Sequence, residues 1–289
     1  MVAAELRAWF AVHGRSLPWR ATRDPYRVLV SEVMLQQTRV ARVVPAWHAF
    51  LERFATLADL AAAPTAAVVE QWRGLGYNRR AVNLQRTARA AVDRHGGRLP
   101  ATLAELEALP GVGPYTARAV LVFAHEAPVA AVDVNVARVV QRAVTGERVP
   151  PRRRQQVADD LVADDPWATA QALIELGARH CTARAPACGG CPVADACAWH
   201  ARGNDPPDPG LVVRSAATVP FTETDRYHRG RLLDALRAGP VATTDVAAVA
   251  RTDDPDRARR LADGLVRDGL AAWSTGTLTL PERDVERER

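Results

Sequence analysis

Apolar residues recur every three to four positions along most of this chain, which is the spacing of one buried face on an α-helix. The clearest segments of this kind cover residues 66–72, 81–92, 117–124, 136–144 and 168–178. Stretches containing glycine and proline separate them, at 74–76, 96–100, 110–113 and 146–151. Convincing strand-like alternation is missing before about residue 270. The pattern therefore predicts a mainly α-helical body.

A proline-rich stretch, GNDPPDPG from residue 203, interrupts this helical pattern. Such a composition is typical of an exposed connection, so we predict a linker over 203–225. Beyond it, helical segments at 230–239, 243–250 and 255–269 precede a hairpin with its turn near Gly276. This order is typical of a winged helix, which we predict as a small C-terminal domain over 226–289. Such a domain either contacts nucleic acid or protein, or only packs against the rest of the chain.

The bulk composition places the chain among globular proteins of two or three domains. It has 289 residues, 48% of them hydrophobic, and no apolar run long enough to span a bilayer. The opening residues, MVAAELRAWF, lack the basic leader and the apolar stretch of a secretion signal. We therefore expect a cytoplasmic protein with no membrane contact.

Arginine provides all the cationic side chains of the protein. The formal net charge is +5, and the 38 basic residues include no lysine. Guanidinium groups suit phosphate and base contacts through their planar fork, although a G+C-rich genome would also favour arginine codons. The absence of lysine excludes Schiff-base chemistry by a side-chain amine.

The four cysteines of the chain all fall between residues 181 and 197, with the spacing C-x6-C-x2-C-x5-C. A disulfide framework is not expected in a cytoplasmic chain that is long enough to build its own core. Four clustered thiolates suit either a tetrahedral zinc ion or a [4Fe-4S] cluster. From the residues alone, both metal centres remain open.

The stretch LPGVGPYTARAV, at 109–120, places two glycines between two predicted helices. Glycine allows a close approach of the main chain to a ligand, and the N–H groups that start the second helix favour an anion. A tight helix-helix turn with a glycine C-cap is the alternative interpretation. The flanking residues resemble the helix-hairpin-helix of base-excision DNA glycosylases. That resemblance implies a hairpin that holds a DNA phosphate without reading the sequence.

Residues 17–40, LPWRATRDPYRVLVSEVMLQQTRV, carry the most specific pattern. Together with GLGYN at 74–78, they resemble the adenine DNA glycosylases of the MutY type, and the resemblance runs from about residue 10 to 200. It implies a two-lobed fold, with a six-helix barrel domain over 22–132 and an iron-sulfur domain formed by 1–21 and 133–202. The cysteine spacing then matches that of endonuclease III, which implies a [4Fe-4S] cluster held by Cys181, Cys188, Cys191 and Cys197.

Two carboxyl groups carry the chemistry that this resemblance implies. Glu32 matches the family's catalytic acid, and burial would raise its pKa enough to keep a proton for the leaving adenine near neutral pH. The base must be flipped out of the duplex to reach it. Asp133 matches the carboxylate that faces the sugar, where it stabilises the developing positive charge or traps it covalently. An aspartate before an apolar helix also serves as an N-cap, and both roles can hold.

The resemblance implies further roles. It implies that the pocket for the flipped adenine is formed by Arg15, Trp19, Arg20, Leu35, Val40, Tyr115, Asn135 and Glu175. It also implies that the DNA and the orphaned partner base are contacted by Gln37, Thr38, Leu75, Gly111, Val112, Gly113 and Tyr77, the last as a wedge in the base stack. Tyr115 stands where strand-cleaving relatives carry a lysine, so we expect base removal that leaves an abasic site.

We therefore expect a monomeric DNA glycosylase that removes adenine opposite 8-oxoguanine or guanine in double-stranded DNA, and that associates with the nucleoid through DNA binding. A mismatch glycosylase that removes thymine or uracil opposite guanine is the alternative enzyme, since such enzymes also place a tyrosine at the hairpin position. The MLQQT segment favours adenine. A non-catalytic DNA-binding protein is a further alternative, against which the retention of both Glu32 and Asp133 argues.

Three features depart from the family pattern. Asn78 replaces the second tyrosine that is usual in GLGYY, and Val134 replaces the glycine that is usual in VDGNV. The third is the C-terminal region, where many relatives carry a domain that recognises 8-oxoguanine and this chain has the predicted winged helix instead.

Overall fold

Helices form most of the chain in a computed structural model, which describes residues 2–203 and 219–281. The α-helices are α1 Val2–His13, α2 Pro25–Leu35, α3 Val40–Arg53, α4 Leu57–Ala62, α5 Thr65–Gln71, α6 Arg79–His95, α7 Leu103–Glu107, α8 Pro114–Ala124, α9 Val134–Val139, α10 Pro151–Val162, α11 Pro166–Arg179, α12 Asp225–Leu236, α13 Val246–Ala250 and α14 Pro255–Arg267. The strands are β1 Val241–Ala242, β2 Ala272–Ser274 and β3 Thr277–Thr279.

The predicted mainly α-helical fold is confirmed. The five periodic segments coincide with α5, α6, α8, α9 and α11, and a π-helical turn over Val140–Thr145 continues α9 to the end of its predicted segment. Most of the predicted linker, 204–218, lies outside the described residues, and α12 begins at Asp225, within the predicted linker range. Along 2–203 and 219–281, no helix is both long and apolar enough to cross a bilayer.

The described residues divide into two compact units. The first comprises 2–32, 101–108 and 112–203, and the second comprises 33–100, 109–111 and 219–281. The predicted boundaries of the three domains are not tested by this division, and they stay a prediction.

The core of the first unit is formed where α1, α9 and α11 pack together. Its buried side chains include Leu6 of α1, Val139 of α9, and Leu173 and Leu176 of α11. Because these apolar residues recur at helical spacing, each helix turns one continuous face inward. The same unit contains the cysteine segment, of which Cys197 is buried in this core.

The second unit contains α3 to α6 and the C-terminal helices and strands. The apolar faces of α12 and α14 share one core with Val69 of α5 and Val82 of α6. The predicted hairpin is present, with Trp273 of β2 paired antiparallel with Leu278 of β3. A third strand, β1, completes a sheet of order β1-β3-β2. With only two residues, β1 is too short to give an alternating pattern, which is why the sequence did not predict it.

Gly111 lies at the one hairpin position where the backbone requires glycine. Its φ angle is +83°, and a Cβ atom added there would lie 2.7 Å from the Cβ of Asn83 on α6. Both the left-handed conformation and the close packing exclude a side chain. The loop that follows α7 therefore sits directly on the surface of α6.

We expect Gly111→Ala to lower the free energy of unfolding by about 2–4 kcal/mol, because the backbone strain and the overlap with Asn83 add together. Gly76→Ala is the matched control. Gly76 has a φ of +69°, but nothing lies within 4 Å of its added Cβ, so a loss of about 1 kcal/mol is expected. Urea denaturation of the two variants measures both values, and equal losses would contradict the packing at Gly111.

Candidate active site

Glu32 lies in the last turns of α2 with only 7% of its surface exposed. Burial raises the pKa of its carboxyl group from 4.5 to about 7, because the ionised form loses its hydration. The hydrogen bond from Tyr115 and the positive charge of Arg20 act against this increase, whereas the negative charge of Asp133 adds to it. Glu32 is therefore a carboxyl group that holds a proton up to about neutral pH.

Tyr115 lies in the first turn of α8, where its hydroxyl group donates a hydrogen bond to Oε2 of Glu32 over 3.3 Å. Burial raises the pKa of the Tyr115 phenol well above its usual value, and the neighbouring carboxylates of Glu32 and Asp133 add to the effect. The phenol therefore remains neutral and acts as a donor toward Glu32. Gly113 is the N-cap of α8 and Pro114 follows at its first position, which places Tyr115 in the opening turn.

Asp133 is the N-cap of α9, as one of its two predicted roles required. Its Oδ1 accepts hydrogen bonds from the backbone N–H groups of Asn135, at 2.9 Å, and Val136, at 2.8 Å. Its Oδ2 accepts a third bond of 2.8 Å from Nδ2 of Asn135. Three donors thus fix the orientation of a half-buried carboxylate at the positive end of a helix.

The amide of Asn135 continues this network toward the cysteines. Its Oδ1 accepts a hydrogen bond of 2.8 Å from Nη2 of Arg138, and Nε of Arg138 donates to the carbonyl oxygen of Cys181 over 2.5 Å. Val134 is 65% exposed, so the residue that replaces the family's glycine points into solvent rather than into this network.

Glu175 of α11 is the second buried carboxyl group of this unit, with no exposed surface. Arg15 binds it with two parallel hydrogen bonds of 2.6 and 2.9 Å, and Nη2 of Arg20 adds a third of 2.9 Å. Burial opposes the ionisation of Glu175, but the two arginines outweigh it and lower the pKa of the carboxyl group. Trp19 is buried beside Arg20 in the same short 3-10 turn. The structure therefore brings Arg15 and Arg20 together around the ionised carboxylate of Glu175, with Trp19 next to Arg20 in the chain.

The predicted partner-base residues come together in the second unit. The hydroxyl group of Thr38 donates to the carbonyl oxygen of Leu75 over 3.2 Å, which joins the loop after α2 to the GLGYN loop. Gln37 is exposed, Tyr77 is 37% exposed and Leu75 is buried. Two predicted pocket residues also belong to this unit, Leu35 at the end of α2 and Val40 at the start of α3.

Two arginines that the sequence did not single out contact these loops. Arg80, in the first turn of α6, donates to backbone oxygens of both loops. Arg226, in the first turn of α12, donates to the hydroxyl group of Tyr77 over 2.6 Å and lies 4.3 Å from the centre of its ring. The sequence around a single arginine among 38 carries no local signal of such a contact. Sequence patterns therefore do not distinguish Arg80 or Arg226 from the other arginines.

A groove of about 990 Å³ adjoins these loops within the second unit. The loop residues Gln37, Thr38, Leu75 and Tyr77 line it together with guanidinium groups from two regions of the sequence. These groups belong to Arg39, Arg42, Arg79, Arg80, Arg226, Arg229 and Arg237. Asp234 and Asp268 also line the groove. Asp234 is paired with Arg237, and Asp268 is paired with Arg79 and Arg229. The remaining guanidinium groups give the groove an excess of positive charge.

The hairpin over Gly111, Val112 and Gly113 has an extended backbone at Gly113 and a buried side chain at Val112. Gly111 is not a C-cap, because α7 ends at Glu107 and its C-cap is Ala108. The alternative interpretation correctly predicted a turn between two helices, but its prediction of a glycine C-cap is wrong. Gly113 and Pro114 are exposed, so α8 begins at the protein surface.

The four cysteine thiols are free of disulfides and lie close enough to influence one another. Burial raises the pKa of the Cys188 thiol, and the charges of Cys181 and Cys197 raise it further. Nη1 of Arg142 lies 3.7 Å from Sγ of Cys181. Among the described residues, no group of three or more His, Cys, Asp or Glu side chains is arranged to hold a single metal ion. Four cysteine thiols in one segment are the donor set that an iron-sulfur cluster takes.

Comparison with known protein families agrees with this geometry. Residues 30–162 match the family model described as "HhH-GPD superfamily base excision DNA repair protein", and residues 181–197 match the "iron-sulfur binding domain of endonuclease III". The helical fold, the hairpin and the cysteine segment thus define a base-excision DNA glycosylase with an endonuclease III-type [4Fe-4S] domain. The predicted cofactor is confirmed.

Individual relatives show which kind of base-excision DNA glycosylase this chain resembles. The chain is 45% identical over 286 residues to an adenine DNA glycosylase of Mycobacterium tuberculosis. The aligned region covers 96% of this chain and 92% of the relative. It is 43% identical over 273 residues to an adenine DNA glycosylase of Mycolicibacterium smegmatis. The aligned region covers 92% of this chain and 91% of that relative. The chain belongs to the adenine DNA glycosylases.

Solved structures show the same fold over most of the chain. A thermostable thymine-DNA glycosylase superposes with a TM-score of 0.66 at 28% identity, covering 70% of this chain and 95% of that one. A trapped covalent intermediate of endonuclease III with DNA gives a TM-score of 0.60 at 27% identity, with the same coverage. These superpositions confirm the predicted helix-hairpin-helix glycosylase fold.

The raised pKa of Glu32 predicts how stability depends on pH. Between the unfolded pKa of 4.5 and the folded pKa of about 7, the folded protein binds more protons, so its stability decreases as the pH rises. Glu32→Gln removes this titration. We expect the free energy of unfolding of Glu32→Gln, relative to the wild type, to increase by up to about 3 kcal/mol from about pH 4 to about pH 8. Urea denaturation across this range measures the difference, and a constant difference would contradict the raised pKa.

Proposed function

We propose that this adenine DNA glycosylase acts as a monomer on double-stranded DNA and removes adenine paired with 8-oxoguanine or guanine. The observation that carries the proposal is the buried carboxyl group of Glu32, whose pKa of about 7 lets it hold a proton under physiological conditions. Adenine is a poor leaving group until one of its ring nitrogens is protonated. Flipping places the base beside side chains that it cannot reach inside the duplex.

In the first step, the carboxyl group of Glu32 gives its proton to a ring nitrogen of the flipped adenine. The N-glycosidic bond then breaks, and its electron pair leaves with the base. Positive charge develops on the deoxyribose, where the carboxylate of Asp133 stabilises it or forms a transient bond to it. A water molecule adds at the sugar carbon and loses a proton to a carboxylate, which completes hydrolysis. The three hydrogen bonds to Asp133 support this role, because a fixed carboxylate needs little reorganisation.

The ionised Glu175 and its two arginines have a different task in this proposal. Their buried network holds the residues between α1 and α2 against α11, so that Trp19 and Arg15 keep fixed positions for the base. One carboxyl group is kept protonated by burial and the other ionised by arginine. Because their pKa values shift in opposite directions, Glu32 can act as an acid while Glu175 remains a structural anion.

DNA contacts are proposed for two surfaces. The exposed start of α8 binds a phosphate through its backbone N–H groups, as the positive end of a helix favours an anion. The arginine-lined groove of the second unit lies against the strand that carries the partner base, and Tyr77 enters the base stack from its edge. Arg226 and Arg229 make the C-terminal region part of this contact. The [4Fe-4S] cluster, held by the four cysteines, supplies a rigid structural centre for residues 181–197.

We expect Glu32→Gln to lower the single-turnover rate of adenine release at least about a thousandfold, because an amide cannot donate a proton to the base. Affinity for a duplex with adenine opposite 8-oxoguanine should change little. Glu126→Gln, which alters an exposed carboxylate paired with Arg23, is the matched control and should keep the wild-type rate. A Glu32→Gln enzyme with normal rates would refute the proposed acid. A panel of mismatched duplexes tests the alternative, since release of thymine or uracil opposite guanine in preference to adenine would favour a thymine or uracil glycosylase.

The proposed function also predicts that the enzyme does not cleave the DNA strand. Tyr115 is a neutral phenol and the chain has no lysine, so the wild-type product should stay intact until alkali or heat is applied. Tyr115→Lys places an amine in the first turn of α8 and should produce weak nicking together with a borohydride-trapped complex. Tyr115→Phe, which keeps the ring without an amine, should produce neither. Efficient nicking by the wild type would contradict the proposal.

A further inference from the structure

Arg80 forms an unusually large set of hydrogen bonds with the backbone. Its Nη1 donates to three carbonyl oxygens at the end of α2, those of Val33 at 2.7 Å, Met34 at 2.9 Å and Gln36 at 2.6 Å. Its Nη2 donates to the hydroxyl group of Thr38 and to the carbonyl oxygens of Leu75 and Gly76, at 3.0, 3.2 and 2.9 Å. One planar guanidinium group thus joins the loop after α2 to the GLGYN loop.

The same two loops contain strained backbone. Gln37 has a φ angle of +55° and Tyr77 one of +46°, in the left-handed region that costs a non-glycine residue about 1–3 kcal/mol. Arg80 binds the peptide carbonyl immediately before each of them, that of Gln36 before Gln37 and that of Gly76 before Tyr77. The orientation of this carbonyl is coupled to the φ angle that follows it. Arg80 therefore stabilises the strained conformation at both positions.

Only an arginine can make this connection. The guanidinium group directs its N–H donors along fixed directions in one plane, so Nη1 serves the carbonyl groups around the end of α2 while Nη2 serves Thr38 and the GLGYN loop. An ammonium group carries three donors on a single nitrogen atom, fewer than the bonds that Arg80 makes. Burial lowers the pKa of the Arg80 guanidinium to about 10, so it remains charged at neutral pH, and its charge also complements the negative end of the α2 dipole.

We propose that Arg80 is a positioning residue for partner-base recognition, which holds Gln37 and Tyr77 in one fixed arrangement and thereby sets the preference for 8-oxoguanine. This inference rests on the proposed function of Gln37 and Tyr77 as contacts to the DNA. The hydrogen bonds of Arg80 go to the backbone of the two loops and to the hydroxyl group of Thr38, so we assign it a role through these loops. Its loss should therefore change discrimination between partner bases more than it changes the chemistry at Glu32.

The test compares Arg80→Lys with Arg89→Lys, a matched control on the same helix. Arg89 donates to the carbonyl oxygens of Ala61 and Ala63 and to the hydroxyl group of Thr65, so its replacement also removes guanidinium bonds to a loop. Single-turnover rates are measured for adenine opposite 8-oxoguanine and opposite guanine, together with the thermal midpoint. Both variants should lose stability. Only Arg80→Lys should lower the ratio of the two rates, by about tenfold, as a strained loop relaxes.

Gln37→Ala and Tyr77→Leu separate the inference from the proposed function. If neither variant changes the rate ratio, the proposed role of the loops fails. If both lower it and Arg80→Lys does not, the inference alone is overturned. Arg80→Lys should have no further effect on the ratio in the Gln37→Ala, Tyr77→Leu double variant, because Arg80 acts through these two residues. An equal effect in both backgrounds would show that Arg80 acts by another route.

A chemical rescue covers the case in which Arg80→Lys does not fold at the assay temperature. Arg80→Ala is assayed at a lower temperature with and without ethylguanidinium in the buffer. Return of the rate ratio toward the wild-type value would support the inference, since the added ion supplies the missing donors. A ratio that stays low, or that never differed from the wild type, would overturn it.

Discussion

The removal of the Glu32 carboxyl group from water is the constraint on which the proposed chemistry depends. A carboxyl group in water ionises well below neutral pH. The loss of hydration, with a smaller contribution from the negative charge of Asp133, keeps Glu32 protonated near pH 7. Its hydrogen bond with Tyr115 acts in the opposite direction, so burial must outweigh a favourable contact. Glu175 shows the converse within the same unit, because two arginines keep a still more buried carboxyl group ionised. The environment, not the residue type, separates the two roles.

Arginine side chains fix much of the irregular backbone in this protein. Arg80 binds carbonyl oxygens in two loops, and Arg142 binds those of Thr182 and Ala183 in the cysteine segment. Arg138 links the carbonyl oxygen of Cys181 to the amide that supports Asp133. Loops without regular secondary structure leave many carbonyl groups unpaired, and a guanidinium group can satisfy several at once. A chain without lysine is suited to this means of stabilising its functional loops.

Much of this architecture could be predicted from the sequence. Helical periodicity located α5, α6, α8 and α11, and the spacing of the cysteines together with the family resemblance identified the iron-sulfur segment. Asp133 was predictable as an N-cap because the signal is local. Contacts between distant positions were not predictable, because Arg80 and Arg226 reach the GLGYN loop through tertiary packing that leaves no local pattern in the sequence. Strand β1 was missed for a different reason, because two residues carry no periodicity.

The protonation state of Glu32 tests the central claim most directly. Infrared difference spectra, recorded against pH for the wild type and Glu32→Gln, isolate the C=O stretching band of this one protonated carboxyl group. The account predicts a band that is present in the wild type below neutral pH, disappears with a midpoint near pH 7 and is absent from the variant. A band that disappears near the ordinary carboxyl pKa of 4.5 would show that burial does not hold the proton, and would contradict the account.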